Sequence, residues 1–228
     1  MPFSRIRAQP ILIGILFCLA VLVGLASSAD AHPHVWATVR SEIVFGPDKK
    51  IVGIRHAWTF DEFYTAMAVQ GLDTDKDGAY SKEELAPLAK VNVESLQEFA
   101  YFTFVSQGDE EKPLPLKPPV DYWLDYDKSV VTLHFTLPLE TPLDASAKNV
   151  TVDVFDPSFF VAFGFATEAP VKLAGEPAPS CAVEVEAPDK GQAEDAKALT
   201  EAFFSQLGPD SDYGSQFAQT AIVKCAAP

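Results

Sequence analysis

Residues 73–84 have the types and the spacing of an EF-hand calcium loop. Aspartates stand at the first, third and fifth positions, a glycine at the sixth and a glutamate at the twelfth. The candidate ligands are Asp73, Asp75, Asp77, the Ala79 carbonyl, Ser81 and Glu84. Calcium binds roughly six to eight oxygen atoms, so this pattern predicts a calcium site supplied by one short segment.

The alternative for the same residues is an acidic, solvated turn that holds no ion. Four carboxylates in one loop repel one another unless a cation neutralises them, and this favours the calcium interpretation. Because the sequence contains a single loop of this kind, we expect the ion to have a structural role rather than a signalling one.

Helices are expected on both sides of the loop, within a helical insert at about residues 61–100. The entering helix is predicted over residues 60–72, and the exiting helix is predicted to begin at Ser81. A proline inside a helix costs about 3 kcal/mol. Pro87 therefore predicts a short or kinked exiting helix, followed by a second one near residues 93–99.

The rest of the chain favours strands. Residues 35–45 and 51–60 alternate apolar and polar side chains around a turn at 46–49, which predicts an antiparallel hairpin with Phe45 opposite Lys50. Further strands are predicted over 101–106, 122–126, 130–137, 150–155, 159–165, 181–186 and 221–225, and a C-terminal helix over 192–207. The expected fold is α+β, with an antiparallel β-sandwich-like core that carries the helical EF-hand insert.

The first 31 residues have the features of a signal peptide. Arg5 and Arg7 precede an apolar run over 11–25, and Ala29-Asp30-Ala31 is a cleavage site. We therefore expect a cleaved leader, 1–31, and a single periplasmic domain, 32–228. A retained membrane anchor is the alternative, although the apolar run is short for a membrane span.

Charge and cysteine content indicate the kind of environment that the domain meets. The formal net charge of −15 disfavours nucleic acids and anionic membrane surfaces as partners, and no stable membrane insertion is expected after cleavage. Beyond the leader the chain contains two cysteines, Cys181 and Cys225. In an oxidising compartment such a pair is expected to form a disulfide.

The predicted mature chain begins His32-Pro33-His34, a candidate transition-metal site. The α-amine and imidazole of His32, together with His34, offer nitrogen ligands for copper, zinc or nickel. A planar site that uses the amide of the second residue is disfavoured, because Pro33 has no N–H. His34 could instead simply cap the entrance to the first strand.

The two remaining histidines favour structural interpretations. His56 shares a strand face with Ile54 and Trp58, so it is interpreted as a hydrogen-bonded core histidine, and His134 as an outward-facing side chain. No Ser-His-Asp set can be assembled from the spacing, and there is no phosphate-binding glycine loop or nucleophilic cysteine. The chain is therefore not expected to be an enzyme.

The chain resembles a bacterial family of uncharacterised exported proteins, commonly labelled as the periplasmic component of an ABC-type transport system. The similar segments are 31–36, 72–84, 101–103, 154–160 and 217–225. The resemblance implies an accessory role in nickel, cobalt or zinc transport, with a membrane metal transporter as partner. It does not come with a known reaction.

The expected function is therefore that of a periplasmic metal-binding protein, with Ca²⁺ in the loop and Zn²⁺, Ni²⁺, Co²⁺ or Cu²⁺ at His32 and His34. One alternative is a calcium-stabilised interaction module without a transition-metal role, in which the phenylalanine-rich stretch 152–165 docks a partner instead of only pairing strands. The other alternative is a copper enzyme that uses the N-terminal histidine.

Overall fold

The computed structural model describes residues 33–110, 112–188 and 212–226. Helices α1 (Glu62–Ala68) and α2 (Lys82–Leu96) lie between the second and third strands, and 3-10 turns span Gln97–Phe102 and Tyr213–Phe217. The strands are β1 (Val35–Phe45), β2 (Ile51–Phe60), β3 (Thr103–Gln107), β4 (Val120–Asp127), β5 (Val130–Leu143), β6 (Val150–Val154), β7 (Val161–Phe165), β8 (Val171–Gly175), β9 (Cys181–Glu186) and β10 (Thr220–Cys225).

The strands form two sheets. The larger sheet has the order β4-β5-β2-β1-β7, with β8 also paired to β1, and the smaller has the order β3-β6-β10-β9. An α+β fold is thus confirmed, but the expectation of a wholly antiparallel core is wrong. Both β7 and β8 run parallel to β1, because the chain reaches β7 by crossing over from β6 in the other sheet rather than through a tight hairpin.

Alternating burial along the strands builds the core. On β1 the apolar residues at every second position are buried, whereas Thr38 and Arg40 on the opposite face are exposed. Ile43 and Ile54 of the larger sheet share one hydrophobic cluster with Val105 and Val152 of the smaller sheet. The two sheets therefore pack face to face in a sandwich-like arrangement.

The first hairpin has the predicted strands but not the predicted register. Phe45 pairs with Ile51 rather than with Lys50, and the register shifts between Val44 and Phe45. A β-bulge absorbs the extra residue, and the Gly46 N–H donates to the Lys50 carbonyl to close the turn.

The prediction of a short or kinked exiting helix followed by a second one is wrong. Helix α2 is one helix of 15 residues that continues past Pro87 to Leu96. A capping box starts it: the Ser81 hydroxyl accepts from the Glu84 N–H, and the Glu84 carboxylate accepts from the Ser81 N–H. Leu85, Ala89 and Val93 recur every four residues and are buried. Capping and burial together offset the cost of the proline.

Helix α1 is shorter than predicted at both ends. Asp61 caps its start by accepting from the Tyr64 N–H, and the helix ends at Ala68. The third strand also begins later than predicted. Ala100, Tyr101 and Phe102 have φ of 51°, 56° and 45°, a left-handed run in which the last two side chains are buried.

Other predicted elements meet different outcomes. Strand β8 is not among the predicted strands: only five residues form it, and its pairing partner β1 is distant in sequence. In the 152–165 stretch Val152 and Val154 are core residues, as strand pairing requires, while Phe160 is 46% exposed. The predicted helix over 192–207 lies outside the described residues.

The predicted disulfide between Cys181 and Cys225 is confirmed, and it joins facing residues of β9 and β10. Of the helices that the structure describes, none is both long and apolar enough to cross a membrane.

Candidate metal centre

The loop 73–84 begins a few residues after α1 and includes the first turn of α2. Before it, Val69 is buried and Leu72 packs against the core cluster of the larger sheet. Within it, Ser81 is the N-cap of α2, so that Glu84 lies in the first turn of this helix. Both ends of the loop are thus fixed by the fold, which limits the positions that its side chains can take.

Three carboxylates converge inside the loop. Asp73, Asp75 and Glu84 each offer an oxygen that lies within 4.8 Å of the other two. Two oxygens on opposite sides of a calcium ion are about 4.8 Å apart, given coordination distances of about 2.3–2.6 Å. Within residues 33–110, 112–188 and 212–226, this is the group of three or more potential side-chain ligands that can surround one ion.

Asp73 has an oxygen atom that a bound cation would satisfy. Its Oδ2 accepts from the Gly78 N–H at 3.1 Å. Its Oδ1 is buried and, in the described part of the chain, has no hydrogen-bond partner. Burying an unpaired carboxylate oxygen is costly, so this atom fits a metal ligand better than a structural side chain.

The middle of the loop turns sharply. Gly78 has φ of 83° and Lys76 has φ of 63°. A Cβ at Gly78 would meet nothing within 4 Å, so glycine is required there by the backbone conformation rather than by lack of space. The turn is closed by the Asp77 N–H, which donates to Asp75 Oδ1, and by the Ala79 N–H, which donates to Asp77 Oδ1.

Glu84 closes the loop on itself. Its Oε2 accepts from the N–H and hydroxyl of Ser81, and its Oε1 accepts from the N–H and hydroxyl of Thr74. These hydrogen bonds, that of the Ser81 N–H foremost, lower the pKa of Glu84 to about 2. The carboxylate therefore remains anionic across the physiological pH range.

The structure thus brings together three of the four predicted carboxylate ligands. Asp73, Asp75 and Glu84 converge, whereas Asp77 lies outside this group and its Oδ1 accepts from the Ala79 N–H. The Ser81 hydroxyl, which donates to Glu84 Oε2, and the Ala79 carbonyl remain predicted ligands. Sequence reasoning missed Thr74, because the loop pattern assigns no role to its second position.

Aromatic contacts tie the second half of the loop to β4. The rings of Tyr80 and Tyr126 are 4.7 Å apart. The Lys82 Nζ lies 5.4 Å from the centre of the Trp123 ring, within the range of a cation–π contact. The position of the loop is therefore coupled to an outer strand of the larger sheet.

The metal site at the N-terminal histidine pair stays a prediction. His32 lies outside the described residues. His34 lies at the start of β1 with its ring 4.7 Å from that of Phe160, and its backbone N–H donates to the Phe160 carbonyl.

The other two histidines have structural partners. His56 is confirmed as a core residue, 1% exposed, with Ser41 Oγ at 2.9 Å from Nδ1 and Thr103 Oγ1 at 3.2 Å from Nε2. His134 faces outward, as predicted, but its ring stacks on Trp123 and its Nε2 lies 2.6 Å from Asp125.

Comparisons with known proteins find similarity over nearly the whole chain, to proteins for which no activity is given. An uncharacterised protein of Haemophilus influenzae is 23% identical over 222 residues, which cover 96% of this chain and 99% of that protein. A family model described as "Protein of unknown function (DUF1007)" matches residues 17–225. The chain therefore belongs to the DUF1007 family.

Proposed function

We propose that this is an exported protein that binds calcium in the 73–84 loop, and that the ion holds the helical insert on the larger sheet. The observation that carries the proposal is the convergence of three carboxylates, of which Asp73 contributes a buried oxygen without a hydrogen-bond partner. Export is supported by the Cys181–Cys225 disulfide, because disulfides persist in oxidising compartments.

The donor atoms favour calcium over zinc, nickel or copper. The converging group consists of carboxylates, with no imidazole or thiolate, and hard oxygen donors suit calcium, magnesium and manganese. Magnesium requires near-ideal octahedral geometry, whereas calcium tolerates irregular coordination of the kind that one short loop supplies. Transition-metal delivery to a transporter remains a separate prediction that rests on His32 and His34.

A structural role follows from where the flanking helix packs. Leu85 and Ala89 of α2 are almost fully buried against the larger sheet. An ion that joins Asp73, before the helix, to Glu84, in its first turn, binds only when this segment is folded. At a calcium concentration one hundred times Kd, such binding adds about 2.7 kcal/mol to the free energy of unfolding.

Glu84→Gln tests the site while preserving the helix start. Glutamine at this position still forms a capping box, but it removes the charge and one oxygen ligand. We expect calcium affinity, measured by isothermal titration calorimetry, to fall by about tenfold or more, since losing even a residue that supports a metal ligand costs that much. The matched control is Glu83→Gln, which removes the same charge one residue earlier, outside the converging group.

The two variants give separable outcomes. Weakened binding in Glu84→Gln with near wild-type binding in Glu83→Gln supports the site. An equal loss of calcium affinity in both variants would mean that calcium is attracted by the overall negative charge of the loop and not bound at this site. Absence of calcium binding to the wild-type protein at millimolar concentrations, or an identical melting temperature in calcium and in excess chelator, would overturn the proposal.

A further inference from the structure

Arginine is scarce in this chain, and its distribution is uneven. The full sequence has Arg5 and Arg7 in the predicted leader and, beyond it, Arg40 and Arg55 alone. Both of the latter line one cavity of about 320 Å³ on the outer face of the larger sheet. Other residues that line it are Glu42, Ala57, His134 and Lys172.

Strand register explains how these side chains meet. Arg40 of β1 lies opposite Ala57 of β2, which lies opposite His134 of β5. In the adjacent row, Glu42 pairs with Arg55 on one side and with Lys172 of β8 on the other. Arg40 and Arg55 are therefore diagonal neighbours on one face, close enough for their charges to interact.

The charges in this cavity do not balance. Glu42 is the carboxylate among the lining residues, and it is hydrogen-bonded to Arg55. Within the described ranges neither Arg40 nor Lys172 forms an ion pair. Like charges held together on a sheet are unfavourable, and in a chain with a formal net charge of −15 they create a local field that attracts anions.

The shape and the walls of the cavity suit a compact ligand. The small side chain of Ala57, which lies between Arg40 and His134 in the strand register, also lines the cavity. The His134 ring is held in place by stacking on Trp123, at 4.5 Å between centroids and 5° between planes, and by its contact with Asp125. A cavity of this volume is at the lower end of the size range for small-molecule sites.

We propose that this cavity binds a small molecule that carries carboxylate or phosphate groups. The planar guanidinium of arginine matches both groups through paired N–H donors, which makes Arg40 the main ligand-binding residue. Lys172 adds a second positive charge, and Arg55, shared with Glu42, contributes less. The site uses none of the residues of the calcium loop and does not depend on the proposed function.

Titration calorimetry with succinate and with inorganic phosphate tests the site and separates the two chemistries. The buffer is depleted of metals with a resin, because chelators are themselves carboxylates. We expect one or both anions to bind, and Arg40→Gln to weaken binding by about tenfold or more, as the loss of a charged hydrogen bond predicts. Lys172→Gln, an exposed change on β8, is expected to weaken it by a smaller factor.

Two further variants distinguish binding at this cavity from a general effect of protein charge on anion affinity. Lys117→Gln removes an exposed cation that does not line the cavity and should leave affinity within about twofold, since distant surface charges are screened. Glu42→Gln should tighten binding, because it removes the competing carboxylate and frees Arg55. The proposal is overturned if neither anion binds the wild-type protein at millimolar concentrations, or if Arg40→Gln and Lys117→Gln have equal effects.

Discussion

His56 shows how one buried polar residue is accommodated in an apolar core. The Thr103 hydroxyl donates to the Tyr101 carbonyl at 2.9 Å, so its oxygen accepts from the Nε2–H of His56. The Nδ1 is then the acceptor for the Ser41 hydroxyl. The neutral imidazole with the proton on Nε2 therefore satisfies both ring nitrogens.

Burial makes this residue a source of pH dependence. Desolvation lowers the pKa of His56 from 6.5 to about 3. As pH falls below 6.5, the unfolded chain takes up a proton at this position that the folded chain does not. The free energy of unfolding should therefore decrease toward acid by up to about 1.4 kcal/mol per pH unit over that window.

His56→Gln isolates this effect. The variant should be less stable than the wild type at pH 8 but should lose less stability between pH 6.5 and pH 5, a range above that in which most carboxylates titrate. Urea unfolding at several pH values measures both slopes, and the histidines common to both proteins cancel in the comparison. Parallel slopes would show that His56 is not the group responsible.

At the scale of elements, α2 contains a proline that disfavours the helix in which it lies. Pro87 occupies an exposed position within the helix and cannot donate to the Glu83 carbonyl one turn earlier. The capping box and the buried stripe of Leu85, Ala89 and Val93 keep the helix continuous in spite of it. The helix persists because of tertiary packing rather than through its intrinsic propensity.

Pro87→Ala should therefore stabilise the protein. Restoring the missing N–H and a residue of high helix propensity is expected to raise the free energy of unfolding by about 1–3 kcal/mol, measured by urea denaturation. Val91→Ala, on the exposed surface of the same helix, serves as the control and should change stability by only a few tenths of a kcal/mol. No gain from the proline change would mean that the first turns of α2 are already adapted to it.

Which elements can be predicted from the sequence depends on how local their determinants are. Strands β1, β2 and β9 have the predicted bounds, because alternation with one buried face is a local pattern. The convergence of Asp73 with Glu84 also follows from spacing within one loop. By contrast, the parallel pairing of β8 to β1 and the cavity around Arg40 depend on strands that are distant in sequence, so no local pattern predicts them.

At the scale of the whole molecule, the disulfide joins β10 to β9, the outermost strand at one edge of the smaller sheet. Cys181 and Cys225 are directly opposite in the antiparallel pair β9–β10, and they close a loop with a sequence separation of 44. Strand β10 in turn pairs with β6, which contributes Val150 and Val152 to the core. The bridge therefore connects the outermost strand of this sheet to strands that the core already holds.

Removing the bridge should destabilise the whole domain, because the unfolded chain regains the entropy of the opened loop. For a loop of this length the chain-entropy model predicts a loss of about 4 kcal/mol, which urea unfolding of the Cys181→Ser/Cys225→Ser variant would measure. Reducing agent should lower the stability of the wild type by a similar amount and leave the serine variant unchanged. Equal stability of oxidised wild type and variant would mean that the cross-link restricts the unfolded chain too little to matter, and that pairing of β10 with β6 and β9 alone maintains the edge of this sheet.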